Sequence, residues 1–348
     1  MGDPERILVR LPTWVGDTVM STPALRALRA AHPTAELCVE GRPMLEGLLQ
    51  GLTTFDRFLA DDHRGLRGAW RRSQQLRRPP FDWAVLLPDS VRAAVGPFLA
   101  GVPRRVGYAR DVLRRALIND ALPLPRDSSG RRTALPTVER YLRITRHVGC
   151  ADRGDDVELA VDPRAREIVE TELARLGVGS GERLLVVAPG AGFGPSKLWP
   201  AEHFAEACTS LAARRGLRAV LAPAPAECTL AAMIAGRSPG SLVWRADGSA
   251  TLAALKALVA RSDLVLSNDT GPRHVAVALG VPVVVLMGPT NPLHTASQQG
   301  LQRVLREDVE CSPCQKRVCP IDHRCMTRLT PDRVTAAADE LLGSGLAG

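Results

Sequence analysis

Residues 262–274 of the chain, Ser-Asp-Leu-Val-Leu-Ser-Asn-Asp-Thr-Gly-Pro-Arg-His, contain the junction that decides the fold. A short apolar strand, Leu264–Leu266, leads into a polar turn and then into a helical pattern that includes His274. Such a junction directs backbone N–H groups and the positive end of a helix dipole toward one point, which suits a phosphate. Asp269 and Thr270 either cap this helix, as these residue types commonly do, or bind a ligand.

Strand-like apolar runs alternate with helical patterns along the whole chain, which predicts a parallel α/β architecture. In the first half we expect strands at Ile7–Leu11, Glu36–Glu40, Phe55–Ala60, Trp83–Leu87 and Val106–Tyr108, and helices at Pro23–Ala31, Val91–Leu99 and Thr137–Val148. In the second half we expect strands at Leu184–Ala188, Ala219–Ala222, Leu242–Trp244, Leu264–Ser267 and Val281–Met287, and helices at Ala201–Arg214, Pro225–Ile234, Leu252–Ala260 and Val334–Leu342.

The polar stretch Cys150–Glu158 is the expected linker between the two halves. The alternation on both sides of it predicts two doubly wound domains, residues 1–160 and 161–330, separated by a cleft and followed by a C-terminal helix and tail over 331–348. A length of 348 residues and a hydrophobic content of 45% agree with two globular domains.

Charge is distributed unevenly between the halves. Residues 1–150 carry 24 arginines against 15 acidic residues, a net charge of +9, whereas residues 151–348 carry 21 basic and 22 acidic residues, a net charge of −1. The basic half favours an anionic partner, namely a nucleic acid, a membrane surface or a phosphorylated substrate. A solvated face in an arginine-rich chain, with 42 Arg against 3 Lys, explains the excess equally well.

The sequence has no apolar run of transmembrane length. The Met-Gly start is followed directly by the strand at Ile7 and lacks the pattern of a secretory signal peptide, and Arg6 breaks the myristoylation pattern. We therefore expect a cytoplasmic protein.

The first strand ends in Leu-Pro-Thr-Trp-Val-Gly-Asp, residues 11–17. Ligands of parallel α/β sheets gather outside the carboxyl ends of the strands, where Asp17 lies. A carboxylate there can accept a proton from a substrate hydroxyl, and Gly16 allows close approach of that substrate. The alternative is an ordinary helix-cap aspartate, with Trp14 as a packing residue.

The second half opens with a glycine-containing loop, Pro189–Pro200, directly after a strand. It matches neither the P-loop nor the dinucleotide fingerprint, but it places the ammonium of Lys197 where an anion would bind. Because the Asp269–His274 junction also follows a strand of this half, a shared diphosphate site is expected. Glu227, after a third strand, is either a ribose ligand or a first-turn glutamate favoured by the helix dipole.

The chain contains no Asp-x-Asp, the commonest arrangement for holding a divalent ion against a nucleotide diphosphate. We therefore expect no metal in the site, and Lys197 and the helix N-terminus must neutralise the leaving group instead.

Four of the eight cysteines fall within 15 residues near the C-terminus, with His323 among them; they are Cys311, Cys314, Cys319 and Cys325. Four thiols can form a tetrahedral zinc site, but this spacing is tighter than that of the usual paired motifs. Structural zinc, redox or iron–sulfur use and free thiols all remain open, while a disulfide is disfavoured in a reducing cytoplasm.

Together these motifs resemble glycosyltransferase family 9, the ADP-heptose:lipopolysaccharide heptosyltransferases, over nearly the whole chain. The resemblance is carried by Trp-Val-Gly-Asp at 14–17, Pro-Gly-Ala-Gly-Phe-Gly-Pro-Ser-Lys-Leu-Trp-Pro at 189–200 and Asn-Asp-Thr-Gly-Pro-Arg-His at 268–274. The Phe-Gly-Pro-x-Lys-x-Trp-Pro stretch is most similar to the heptosyltransferase II branch, and the cysteine-rich tail occurs in some members only. Ala222-Pro223 and Pro272-Arg273 depart from the common family pattern, which puts Glu227 and the donor preference in question.

The resemblance implies a GT-B fold, two Rossmann-like domains that face a central cleft, and no cofactor or metal requirement. It implies inverting transfer of heptose from ADP-L-glycero-D-manno-heptose to the heptosyl-Kdo-lipid A acceptor of the lipopolysaccharide inner core. Asp17 would be the base, and Lys197 would contact the diphosphate and the transferred sugar. Other donor-binding residues would be Gly192, Phe193, Glu227, Asp269, Thr270, Gly271 and His274.

On the acceptor side, Trp14 and Gly16 would line the site. The basic first half would meet the anionic inner core through Arg104, Arg105 and Arg110, with Arg114 and Arg115 beside them. The acceptor's lipid places the enzyme at the inner membrane face, with peripheral association, as a monomer that binds no nucleic acid.

Three alternatives remain from the residues alone. A nucleotide-dependent oxidoreductase would need the dinucleotide fingerprint that this chain lacks. A zinc-stabilised nucleic-acid-binding protein would use the cysteines and the positive charge, but these lie in opposite halves and aromatic residues make up only 4% of the chain. A family 9 enzyme with another donor or a protein acceptor would carry the same motifs.

Overall fold

The computed structural model describes residues 3–63, 65–126, 128–129, 133–296 and 301–343. The chain divides into two compact units, one comprising Met1–Glu158 with Leu293–Ser297, and the other Leu159–Pro292 with Gln298–Gly348. We call them unit 1 and unit 2.

The described part of unit 1 contains a six-stranded parallel sheet in the order β3-β2-β1-β4-β5-β6. Its strands are β1 (Arg6–Arg10), β2 (Glu36–Gly41), β3 (Arg57–Ala60), β4 (Trp83–Leu86), β5 (Arg104–Tyr108) and β6 (Asp120–Leu122). Its helices are α1 (Val15–Val19), α2 (Thr22–Ala31), α3 (Met44–Leu49), α4 (Gly65–Leu76), α5 (Val91–Ala100), α6 (Val112–Leu117) and α7 (Thr137–His147). Ile7, Leu8 and Val9 of β1 are fully buried, because helices cover both faces of a parallel sheet.

Unit 2 contains, within its described residues, a six-stranded parallel sheet in the order β12-β11-β10-β7-β8-β9. Its strands are β7 (Arg183–Ala188), β8 (Leu217–Leu221), β9 (Leu242–Val243), β10 (Leu264–Asn268), β11 (Val283–Leu286) and β12 (Gln302–Leu305). Its helices are α8 (Pro163–Arg175), α9 (Ala201–Arg215), α10 (Cys228–Arg237), α11 (Leu252–Ala260), α12 (Gly271–Ala278), α13 (Arg324–Thr327) and α14 (Pro331–Gly343). The C-terminal helix α14 buries Val334, Ala338 and Leu341 in the core of this unit.

The predicted α/β architecture with two doubly wound parallel sheets is confirmed. The structure contains helices that were not predicted, among them α3, α4, α6 and α8, and it differs from the expected elements at boundaries and at one edge of each sheet. A 3₁₀ turn over Pro225–Glu227 precedes α10, where a single helix from Pro225 was expected, and the edge strands β6 and β12 were not predicted. Within the described ranges, every helix is too short or too polar to cross a bilayer.

Strand order fixes where ligands can bind in each unit. In unit 1 the first strand, β1, lies between β2 and β4, and in unit 2 the first strand, β7, lies between β8 and β10. The chain therefore leaves these neighbouring strands in opposite directions, which opens a crevice at their carboxyl ends. Asp17 follows β1, and Lys197 and Asp269 follow β7 and β10, so each lies at the switch point of its own sheet.

Candidate active site

An ion pair between Lys197 and Asp269 forms the centre of the site in unit 2. Both residues are buried, with exposed fractions of 8% and 4%. The Lys197 ammonium donates to the Asp269 carboxylate Oδ2 at 2.6 Å and to the Asp269 backbone carbonyl at 2.7 Å. The ammonium also lies 5.1 Å from the ring centroid of Phe193, in the same loop. The structure thus brings together Lys197, Phe193 and Asp269, as the sequence predicted for a shared site.

Asp269 is held by two further residues that the sequence analysis did not assign to it. Arg273 donates from Nη1 to Asp269 Oδ1 at 2.7 Å, and the Thr290 hydroxyl donates to Asp269 Oδ2 at 2.6 Å. Burial alone would raise the pKa of this carboxyl, but the charges of Arg273 and Lys197 outweigh burial and hold the pKa well below its usual range. Asp269 is therefore ionised and acts as the anchor that orients Lys197.

Arg273 also has its other end fixed, since its Nη2 donates to Gln302 Oε1 at 2.8 Å. Arg273 follows Asp269 by four residues in the same strand-to-helix junction. This spacing is a sequence signal for the ion pair between them. Thr290 and Gln302 come from other loops and strands, so no local pattern identifies them.

His274 lies one turn inside α12 and is almost completely buried. Burial, and then the nearby charge of Arg273, lowers the pKa of this imidazole to about 3. His274 is therefore neutral near physiological pH and can exchange hydrogen bonds with a ligand but adds no positive charge. Thr270 is the N-cap residue of α12, yet its side chain makes no capping hydrogen bond, and Gly271 begins the helix.

The loop after β7 meets two other strand ends in unit 2. Asn268, the last residue of β10, donates from Nδ2 to the carbonyls of Pro189 at 2.7 Å and Gly190 at 3.3 Å. A Cβ atom at Gly190 would lie 1.7 Å from the Glu227 carboxyl carbon, so Glu227 rests directly against this glycine. Glu227 thus shares the crevice with the Lys197 loop, while its Oε2 accepts from the Ala224 backbone N–H at 2.9 Å.

Residues 311–325, which we call the cysteine-rich segment, pack against the Lys197 loop. Ser196 donates from its backbone N–H to the Arg317 carbonyl at 3.1 Å and from its hydroxyl to the Lys316 carbonyl at 2.6 Å. Arg317 donates back from Nε to the Phe193 carbonyl at 2.7 Å, and His323 Nε2 lies 2.7 Å from the Ser196 carbonyl. The segment therefore fixes the backbone on both sides of Gly194.

All four cysteines of this segment line one small cavity of about 40 Å³ and are free thiols. Burial, and then the neighbouring thiols, raise the pKa of Cys325 to about 11. Among the residues that the structure describes, no three His, Cys, Asp or Glu side chains are arranged to hold a metal ion. The zinc interpretation therefore gains no support from the geometry.

In unit 1, Asp17 is half-buried at the third position of α1, and Trp14 is its N-cap residue. Asp17 is therefore not a helix cap. Trp14 is 56% exposed, whereas Gly16 is buried. Asp17 lies close enough to Tyr141 of α7 that its charge, after burial, raises the pKa of that phenol well above the ordinary value. No local sequence pattern links Tyr141 to Asp17, because α7 is distant along the chain.

The expected acceptor-binding arginines lie elsewhere in unit 1. Arg104 and Arg105 begin β5, so they lie at the amino edge of the parallel sheet, opposite the edge that carries Asp17. Arg104 donates from Nε to Asp120 at 2.7 Å, and Arg105 donates from Nε to the Leu117 carbonyl at 2.8 Å. Arg110 follows this strand and is exposed.

The neighbouring arginines Arg114 and Arg115 differ from each other in exposure. Arg114 is completely buried and donates to the carbonyls of Tyr108, Ser90 and Pro88, so it connects the loops that follow two strands. Arg115 is exposed. Of these arginines, Arg110 and Arg115 have the exposure that contact with a large anionic partner requires.

Comparison with known proteins identifies the family. The family model for glycosyltransferase family 9 (heptosyltransferase) matches residues 69–324, well over half of the 348 residues. The chain belongs to glycosyltransferase family 9. It is therefore a glycosyltransferase, which confirms the resemblance and favours neither the oxidoreductase nor the nucleic-acid-binding alternative.

Individual relatives agree with this assignment. The chain is 29% identical to lipopolysaccharide heptosyltransferase 2 of Salmonella typhimurium over 97% of this chain and 98% of that protein. The structure of Escherichia coli ADP-heptose LPS heptosyltransferase II aligns with a TM-score of 0.79 and 27% identity, covering 97% of this chain and 99% of that one. A family 9 glycosyltransferase from Veillonella parvula has the same fold, with a TM-score of 0.84, 22% identity and 98% coverage of both chains. The expected GT-B type of fold is thereby confirmed.

Proposed function

We propose that the chain transfers heptose from ADP-heptose to the heptosyl-Kdo-lipid A acceptor of the lipopolysaccharide inner core, with inversion at the anomeric carbon. The observation that carries this proposal is the buried Lys197–Asp269 pair at the switch point of unit 2, in a chain whose relatives are named heptosyltransferases. The pair supplies a fixed cation where a parallel sheet binds a diphosphate.

The donor diphosphate would bind to unit 2 through Lys197 and the start of α12. An ammonium has three N–H groups, and two of those on Lys197 donate to Asp269, which leaves one for a phosphate oxygen. Gly271 and Arg273 would add backbone N–H groups at the positive end of the helix dipole, whereas Pro272 has none. The neutral imidazole of His274 would hydrogen-bond the donor, Gly192 and Phe193 would border it, and Glu227 would accept from the ribose hydroxyls.

The chemical step would be one displacement. Asp17 accepts the proton of the acceptor hydroxyl, whose oxygen attacks the anomeric carbon of the heptose. The bond between that carbon and the diphosphate oxygen breaks, and its electron pair leaves with ADP. Lys197 and the N–H groups of α12 stabilise the negative charge that develops on the leaving phosphate, so the residues supply what a metal ion would otherwise provide.

The acceptor's lipid anchor would bring the enzyme to the cytoplasmic face of the inner membrane as a peripheral protein. Unit 1 carries the positive charge that suits an anionic membrane and acceptor, since residues 1–150 have a net charge of +9. We propose that the enzyme works as a monomer without a bound cofactor.

Calorimetric titration tests the donor assignment. ADP-heptose should bind more tightly than ADP-glucose or any UDP-sugar, and both binding and turnover should persist in EDTA. Tighter binding of another sugar nucleotide would replace heptose as the donor within the same family. Loss of turnover in EDTA, restored by a divalent cation, would contradict the metal-free stabilisation of the leaving group.

A further inference from the structure

Four thiols of the cysteine-rich segment converge on one cavity of about 40 Å³, which the proposed transfer reaction does not use. They belong to Cys311, Cys314, Cys319 and Cys325, and all four are free. Cys325 is buried and its pKa is raised to about 11, so its thiol stays protonated and is protected from solutes. The other three side chains are partly exposed, and a small reagent in solution can therefore reach them.

The cavity lies where two loops around the Lys197–Asp269 pair meet. Ser196 and Pro289 line it together with the thiols. Ser196 directly precedes Lys197, and Pro289 directly precedes Thr290, whose hydroxyl donates to Asp269 Oδ2 at 2.6 Å. The cysteine-rich segment therefore contacts a neighbour of each partner in this ion pair.

Two hydrogen bonds attach the first part of the segment to the loop that contains Pro289. The Ser312 hydroxyl donates to the Gly288 carbonyl at 2.7 Å, and the Gln315 backbone N–H donates to the Pro289 carbonyl at 2.9 Å. The two bonds lie on either side of Cys314 along the chain. A displacement of the backbone at this cysteine therefore acts directly on that loop.

Cys311 and Cys314 are three residues apart, and the chain bends between them at Pro313. A disulfide joins residues whose Cα atoms are roughly 4.4–6.8 Å apart, a separation that a bent stretch of four residues can span. Cys-x-x-Cys pairs also form the reversible disulfides of thiol oxidoreductases. Disulfides in a reducing compartment are usually transient and redox-sensing, so a reversible bridge here is compatible with a cytoplasmic enzyme.

We propose that Cys311 and Cys314 are an oxidation-sensitive pair, which hydrogen peroxide converts to a disulfide that weakens donor binding at the Lys197–Asp269 pair. One thiolate attacks a peroxide oxygen, the O–O bond breaks, and a sulfenic acid and one water form. The second thiol attacks the sulfenic sulfur, the S–O bond breaks, and the oxygen leaves as a second water. Two thiols are oxidised, one peroxide is reduced, and both thiol protons end in the two waters.

The effect on the donor site follows from the shortening of the distance between the two sulfur atoms. A disulfide holds them about 2.05 Å apart, well inside nonbonded contact, so the backbone between Ser312 and Gln315 must move. The loop attached to it then shifts, and Thr290 no longer holds the Asp269 carboxylate that orients Lys197. This step rests on the proposed donor site. ADP affinity should fall about tenfold or more, as for the loss of one charge-assisted hydrogen bond.

Treatment of the reduced, full-length enzyme with a few equivalents of hydrogen peroxide tests the proposal. Mass spectrometry after alkylation of the free thiols should find a bridge between Cys311 and Cys314, and calorimetry should show the weaker ADP binding. A dithiol reductant should restore the thiols and the affinity together. Absence of the bridge, or unchanged ADP affinity in protein that contains it, would overturn the proposal.

Cysteine variants separate this pair from the other thiols. Cys311→Ser and Cys314→Ser cannot form the bridge and should keep their ADP affinity after peroxide. Cys319→Ser, the matched control from the same cavity, should respond like the wild type. Cys228→Ser removes a partly exposed thiol beside Glu227 and should also respond like the wild type. A response lost in either control but kept in the first two variants would overturn the assignment.

A metal ion is the other use that such a thiol cluster can have. Elemental analysis and thiol alkylation before and after chelation distinguish the two, and a stoichiometric zinc or iron ion that blocks alkylation of Cys311 and Cys314 would overturn the proposal. Failure of the reduced wild type to bind ADP would contradict the proposed function. Failure of peroxide to form the bridge would contradict the present proposal alone, because the bridge is detected without any substrate.

Discussion

At the scale of single residues, the site in unit 2 depends on how a lysine is held. Lys197 and Lys256 are both buried lysines of this unit, with exposed fractions of 8% and 1%. Burial lowers the pKa of Lys256 to about 8, with the charge of Asp162 opposing it, whereas Lys197 is paired with the Asp269 carboxylate. The two lysines therefore offer a matched comparison between the ammonium that is proposed to contact the diphosphate and a packed ammonium.

Lys197→Met should reduce kcat/KM for transfer by about 100-fold or more, the usual loss when one electrostatic contact to a developing anion is removed. Asp269 keeps its contacts with Arg273 and Thr290, so the variant should fold. Lys256→Met is the control and should keep its turnover. Steady-state kinetics of both variants decide the point, and equal rates would remove Lys197 from the mechanism.

Asp17→Asn should lower kcat by about 10²–10⁴-fold, the range that a positioned general base contributes. Affinity for ADP-heptose should be unchanged, because the proposed donor site lies in unit 2. Glu46→Gln, an exposed carboxylate on α3 of the same unit, should behave like the wild type. Rate measurements at saturating donor and acceptor check this, and a variant that keeps near wild-type kcat would exclude Asp17 as the base.

His274 should make folding sensitive to mild acid. The unfolded chain protonates this imidazole near its ordinary pKa of 6.5, whereas the folded protein resists protonation down to about 3. The unfolded state therefore binds more protons between these values, and the free energy of unfolding falls as the pH is lowered through this window. Asp269 also reduces the free energy of unfolding as the pH falls, but only below its ordinary pKa of 3.8.

Urea unfolding of wild type, His274→Gln and His294→Gln at about pH 7.5 and about pH 5 measures this effect. Wild type and His294→Gln, which alters an exposed imidazole, should lose stability between the two conditions. His274→Gln should lose clearly less. The same loss in all three proteins would show that His274 is not protonated on unfolding in this window.

The predicted site residues that the structure brings together in unit 2 share one property. Lys197, Glu227 and Asp269 lie in the connections that follow strands, and strand ends can be identified from apolar runs and the turns that end them. Thr290 and Gln302 could not be assigned in this way, because their contacts with Asp269 and Arg273 join side chains that only the tertiary structure brings close. Arg104 and Arg105 were predicted as acceptor contacts from their charge. Charge does not indicate which edge of a sheet an arginine occupies.

At the scale of elements, the cysteine-rich segment holds the Lys197 loop in place through hydrogen bonds on both sides of Gly194. A Cβ atom at Gly194 would lie 2.4 Å from the Arg317 carbonyl oxygen, which is backbone and cannot move aside easily. Gly194→Ala should therefore separate the loop from the segment and weaken ADP binding about tenfold or more, as expected when a charge-assisted contact is lost.

Gly181→Ala is the control for this prediction, because a Cβ atom there meets nothing within 4 Å. ADP titration of both variants gives the comparison, and thermal unfolding checks that unit 2 remains folded. If Gly194→Ala bound ADP as tightly as Gly181→Ala, the cysteine-rich segment would have no role in positioning Lys197.

Element prediction succeeded where burial is complete and missed one edge strand of each sheet, although the other edge strands, β3 and β9, were predicted. Strands such as β1 and β10 are continuous apolar runs because helices cover both of their faces. The edge strands β6 and β12 are short and only partly buried, so they carry no such run. Before Cys228, Pro223 and Pro225 favour a tight turn, so α10 starts later than the expected helix Pro225–Ile234.

At the scale of the whole molecule, charge and exposed apolar residues coincide in one place in unit 1. Val112 and Leu113 at the start of α6 are 86% and 70% exposed, and the neighbouring Arg110 and Arg115 are also exposed. Apolar side chains flanked by cations are typical of surfaces that enter the headgroup region of an anionic membrane. The proposed peripheral association should therefore use α6.

Val112→Ser with Leu113→Ser should reduce sedimentation of the enzyme with vesicles of phosphatidylethanolamine and phosphatidylglycerol by about half or more, since roughly 0.8 kcal/mol is lost per buried CH₂ group withdrawn from lipid. Wild-type binding should weaken as salt rises, because the screening length shortens. Val318→Ser with Ile321→Ser removes two aliphatic residues of unit 2 that are 65% and 60% exposed, and this control should bind like the wild type. Equal losses in both double variants would mean that exposed apolar area in general, rather than the basic end of unit 1, holds the enzyme at the membrane.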